Sequence, residues 1–166
     1  MTRPFQRPVD DTPVEFWPTD SIRAALHSGD ITVWQRIVVA VKRDPYGRTA
    51  RQVEEVLESA TPYGVSQALT EVLNRARSHM EANERTEAGR HVRILKERSG
   101  LTDQEFASRI GVTREVLASY LDATVSPPAS LMIRMRRLSD RFAKIRAQQA
   151  RSHTPEDPAD EYPEPD

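Results

Sequence analysis

Cysteine is absent from this 166-residue chain, which removes disulfides, thiolate nucleophiles and cysteine-based zinc sites. Histidine is scarce: His27, His79, His91 and His153 stand too far apart to form a metal-ligand spacing. Only six glycines occur, with no glycine run of the kind that cradles phosphate. No apolar stretch reaches the length of a membrane span, and the N-terminus carries no secretory-type apolar segment. These absences lead us to expect a soluble cytoplasmic chain with no membrane partner, no cofactor and no metal. Grouped titratable residues of the sort catalysis uses are also missing, so no enzymatic activity is expected.

What the chain does have is charge, unevenly placed. The net charge is only -1. Residues 90–146, however, hold 12 Lys/Arg against 6 Asp/Glu. Residues 1–89 hold 11 against 13, and residues 147–166 hold 1 against 6. A phosphate backbone responds to the local field, so the basic stretch matters more than the total.

The hydrophobic pattern predicts an all-α chain in four parts. Residues 1–19 are proline-rich and read as an irregular arm, with Phe5, Phe16 and Trp17 suited to docking. Residues 20–85 read as a small helical bundle. Its helices are expected at Ser21–His27 behind an Asp20 cap, Thr32–Arg43, Thr49–Ser59 and Val65–Glu84. The run Ile37-Val-Val-Ala-Val41 also suits a strand, but Trp34, Val38 and Val41 recur at the helical period. Inward positions are expected at Val53, Val56 and Leu57, then at Val65, Ala68, Leu69, Val72, Leu73 and Ala76. Glu54, Glu55 and Glu58 share one helix and read as a solvated face rather than a metal cluster. Residues 86–146 form the basic domain, opening with a helix over Thr86–Arg98 that Ser99-Gly100 ends. A last helix over Ala129–Arg146 carries Leu131, Met135, Leu138, Phe142 and Ile145 at alternating steps of four and three, a stripe long enough to extend into an inter-subunit seam. Residues 147–166 read as an acidic, disordered tail.

The densest signal lies at Leu101-Thr-Asp-Gln-Glu-Phe-Ala-Ser-Arg-Ile-Gly-Val-Thr-Arg-Glu-Val-Leu-Ala-Ser-Tyr-Leu121. Two short helical patterns flank Gly111, which suits a left-handed turn. Thr102 with Glu105 three residues later is a capping box, and Thr113 repeats the cap without the acid. The core face is expected at Leu101, Phe106, Ala107, Ile110, Val112, Val116, Leu117 and Tyr120.

Leu101-Thr-Asp-Gln-Glu-Phe-Ala107, Gly111-Val-Thr113 and Ser126-Pro-Pro128 make residues 90–142 resemble the phage-repressor-like helix-turn-helix family (the XRE, or Cro/C1, type). The resemblance implies a fold in which the helix after Gly111 enters a DNA major groove. Two departures stand out. Asp103 occupies the position where the family usually has a phosphate-approaching Gln, leaving Gln104 as the substitute. Leu121 replaces the acid that often pairs with a basic residue of the first helix, leaving Lys96 to meet a phosphate.

On that reading the base-reading residues are Arg114, Glu115, Ala118 and Ser119. Arg114 suits guanine O6 and N7, Glu115 the cytosine amino group, and Ala118 a thymine methyl. Arg93, Lys96, Gln104, Thr113, Thr124 and Arg134 are the expected phosphate-positioning residues. Arg136, Arg137 and Arg141 widen the basic surface. The expected function is a sequence-specific, double-stranded-DNA-binding transcriptional regulator, a repressor of mobile-element or toxin–antitoxin type. It would act as a nucleoid-associated homodimer, with residues 1–85 available for dimerisation or a protein partner. The alternative is an assembly module that reuses the fold without specific DNA binding.

Overall fold

A computed structural model describes residues 12–59 and 65–153. Among them every regular element is helical: a single 3-10 turn at Val14–Phe16, then α1 (Thr19–Ser28), α2 (Ile31–Arg43), α3 (Arg48–Ser59), α4 (Val65–Ser99), α5 (Asp103–Ile110), α6 (Arg114–Leu121) and α7 (Ala129–Ser152). No helix among the described residues is long and apolar enough to cross a membrane. The chain divides into two compact units at Asn83–Glu84, inside α4.

In the first unit, Ile22 and Leu26 of α1, Ile37 and Val41 of α2, Val53 and Val56 of α3, and Leu69 and Leu73 of α4 are buried together. Trp17 joins them, and its indole nitrogen donates to the Thr12 carbonyl at 3.1 Å. The Gln52 side chain donates to the Trp17 carbonyl at 2.9 Å. The segment around Trp17 is therefore fastened to the helices rather than hanging off them. Phe16 points away, 70% exposed, and Phe5 lies outside the described residues.

Several expected boundaries shift. Asp20 does not cap α1: that helix begins at Thr19 behind Pro18, and Asp20 pairs with Arg23 at 3.1 Å. Gly29 ends α1 at φ 68°, and the Asp30 carboxylate then caps α2 by accepting from the Thr32 amide at 2.9 Å. The β-branched run of α2 is helical because Ile37 and Val41 are sealed in the core, which outweighs local preference. Ala68 is exposed rather than inward, and Val72 and Ala76 are only half-buried.

The largest correction concerns α4. The helices expected at Val65–Glu84 and Thr86–Arg98 are one continuous element of 35 residues. Nothing in Glu84-Arg-Thr-Glu87 breaks a helix, since Thr is tolerated in a helix interior at modest cost.

Arg77 of α4 ties the first unit to the Asp44–Gly47 turn. Its Nε donates to the Pro45 carbonyl at 2.9 Å, Nη1 bonds the Glu54 carboxylate, and the guanidinium lies 5.2 Å over the Tyr46 ring. That hydrogen bond and the positive charge behind it hold the Glu54 carboxyl below the usual glutamate range. Of the three acidic residues on α3, Glu55 and Glu58 stay exposed.

The second unit closes over Val92, Phe106, Ala107, Ile110, Leu117, Tyr120, Leu131 and Met135. α7 runs six residues past its expected end at Arg146. Arg146 is itself tied back, donating to the Arg98 carbonyl at 3.4 Å, while Arg98 pairs with Asp140 at 2.9 Å.

Candidate functional site

The two short helices after Leu101 are fixed from both ends. The Thr102 hydroxyl accepts from the Glu105 amide at 3.3 Å, and the Thr113 hydroxyl from the Val116 amide at 3.2 Å. The capping box is only half formed, because the Glu105 carboxylate turns to Arg109, at 3.1 and 2.8 Å from Nε and Nη2. Gly111 takes φ 84°, letting its own amide and that of Val112 reach the Ala107 carbonyl at 3.1 and 3.0 Å. A side chain is strained in that conformation, so the glycine sets the angle between α5 and α6.

Leu117 and Tyr120 hold α6 to the core. At 100° per residue, Arg114, Glu115, Ala118 and Ser119 spread over the opposite side. Arg114, Glu115 and Ala118 are exposed, and Ser119 is half-buried with its hydroxyl donating to the Val116 carbonyl at 2.6 Å. Val116, expected in the core, is 37% exposed. Its place on the helix lies beside the buried strip rather than inside it.

The positioning residues fall into two groups. Gln104 and Thr124 are exposed and engage nothing through their side chains among the described residues. Lys96 is not left over as expected: its ammonium bonds Asp103 at the start of α5, and its side chain is only 23% exposed. Asp103 thus supplies the brace that Leu121 cannot, and the ammonium offsets its charge. Arg93 donates to the Leu121 carbonyl at 3.2 Å, closing the C-terminal end of α6. Arg134 reaches the Ile110 carbonyl at 3.5 Å, a long contact that leaves most of its guanidinium uncommitted. Thr113 is exposed but acts as the α6 cap.

Two structural residues escaped the sequence reading. Gly89 is packed so closely that a Cβ there would stand 2.7 Å from the Tyr120 carbonyl oxygen. The local signal is a lone glycine in a helix interior, which costs about 1 kcal/mol relative to alanine and does not say what lies against it. Arg109 lies 4.8 Å over the Phe142 ring, linking α5 to α7. Arg114, Arg136, Arg137, Arg141 and Lys144 have no carboxylate partner among the described residues.

Chemically, the arrangement offers a rigid, exposed helix with a single fork-shaped cation at its start and short side chains after it. No group of three or more metal-ligating side chains is found among the described residues. The chain matches no protein-family model, no curated protein and no solved structure.

Proposed function

We propose that this protein is a sequence-specific double-stranded-DNA-binding regulator, a repressor of mobile-element or toxin–antitoxin type, with α5 and α6 acting as a helix-turn-helix. The observation that carries the reading is the division of α6 into a locked face, Leu117 and Tyr120, and an open one, Arg114, Glu115 and Ala118. Such a helix presents base-reading groups without having to order them first. Arg114 spans guanine O6 and N7, Glu115 accepts from a cytosine amino group, and Ala118 meets a thymine methyl. Ser119 uses its remaining acceptor capacity. Gln104, Thr124 and the outer part of Arg134 contact phosphate. Lys96, Arg93 and Thr113 serve chiefly by fixing α5 and α6, because their polar groups are already engaged within the protein. One module covers few base pairs, so specific binding calls for two copies on a two-fold related site.

A second reading, an assembly module, draws on the exposed apolar side chains Val116, Val125 and Ile133. The two readings differ in salt dependence. Fluorescence anisotropy against duplexes selected from a genomic fragment library is expected to give binding that falls steeply with salt. Arg114→Ala should then cost about 1–3 kcal/mol on the selected site and little on random duplex. Salt-insensitive or absent binding across the library would transfer support to the assembly reading.

A further inference from the structure

α2 carries an uncharged outer face that the described residues do not cover. Ile31 is 73% exposed and Val39 54%, with Trp34 and Val38 half-buried beside them. Gln35 and Val39, one turn apart, form a ridge with a groove on each flank. The first groove, of about 530 Å³, is lined by Gly29, Ile31, Trp34 and Val38 as well as the ridge itself. The second, of about 380 Å³, lies between α2 and the arm. Its charged groups are already satisfied: Arg43 pairs with Glu15 at 3.2 Å, and Arg36 donates to the Thr12 carbonyl at 2.9 Å while lying 5.0 Å over Trp17.

From this we infer that α2 is the face through which two copies of the chain associate, antiparallel about a two-fold axis. A ridge of residues four apart beside a groove fits its own copy, since such ridges interdigitate when two helices cross. An isologous contact also requires a surface that tolerates itself. The exposed acids of α3, Glu55 and Glu58, would face like charges across such an axis, as would Arg136, Arg137, Arg141 and Lys144 of α7. The α2 face meets no such repulsion. Its charge lies at the ends, Asp30 before the first turn and Lys42 in the last, roughly 18 Å apart along the helix. Antiparallel pairing brings Lys42 of one copy toward Asp30 of the other, twice. The inference deepens the DNA-reading proposal, which calls for two modules, but the face it assigns lies wholly in the first unit.

Sedimentation velocity on the full chain without DNA, from micromolar to hundreds of micromolar, tests it. A concentration-dependent dimer is expected. Ile31→Glu with Val39→Glu should weaken that dimer by more than about 100-fold, since four carboxylates would be desolvated without partners. Both positions are exposed, so an unchanged circular dichroism spectrum and Tm would show that the variant folds. The chain has no cysteine, so Gln35→Cys, near the axis, should cross-link two copies under oxidation while Glu55→Cys does not. A dimer that survives the double substitution, or a wild-type chain that stays monomeric, would overturn the inference. A monomer whose Cys at position 35 reacts with maleimide only after residues 1–11 are removed would give the face to the chain's own first residues instead. A dimer without DNA binding would sink the regulator and leave the interface standing, and DNA binding by a monomer would do the reverse.

Discussion

At the scale of single residues, polar groups that look available along the sequence are spoken for in space. Lys96 and Asp103 are seven residues apart, and each alone reads as a phosphate neighbour, one attractive and one repulsive. Together they form an ion pair that holds the start of α5. Arg77 and Glu54 show the same economy in the first unit. Glu54 is held ionised to lower pH than an unfolded glutamate, whose ordinary value is 4.5. Its contribution to stability is therefore complete above that value and vanishes as pH falls through the lower folded value. Glu54→Gln is expected to lower Tm by a few degrees at pH 7, the carboxylate's 38% exposure limiting the cost to less than about 1 kcal/mol. The difference from wild type should close below pH 4, as thermal melts across pH 3–7 would record. A gap that persists at pH 3 would mean that Glu54 acts through packing rather than charge.

At the scale of elements, the short helices α5 and α6 were legible because their signals are local. Thr102, Gly111 and Thr113 act within four residues of themselves, and the structure uses all three as caps or turn. The unbroken α4 was not legible, because the sequence around Glu84 neither favours nor forbids a break. Gly89 depends on contact with a residue 31 positions away, which no window along the chain reports. Helix propensity alone says that Gly89→Ala should stabilise a helix interior by about 1 kcal/mol. We expect the opposite sign. A methyl group 2.7 Å from the Tyr120 carbonyl must displace backbone, so the variant should lose about 1–3 kcal/mol in urea unfolding. An increase in stability would show that α6 can retreat from α4 without penalty.

At the scale of the whole molecule, the near-zero net charge conceals a separation of sign. Residues 154–166 hold six Asp/Glu and no Lys/Arg, so a chain ending at His153 carries net +5. Such a chain is expected to bind duplex DNA several-fold more tightly at low ionic strength. The advantage should fade at high salt, where the Debye length shrinks to about 3 Å. Anisotropy titrations at two or more salt concentrations would check this, and an equal gain at every concentration would point away from electrostatics.

Sequence by itself determined the helical class, the places of most helices and the caps on either side of Gly111. Each follows from periodicity or from hydrogen bonds that close within one turn, and such interactions need no knowledge of distant residues. Tertiary structure alone decided which cations remain uncommitted among the described residues, that Val116 is partly open, that Gly89 has no room for a side chain and that α2 keeps an apolar face those residues do not cover. Those properties depend on which distant groups come within a few ångströms of one another, and only the packed chain sets those distances.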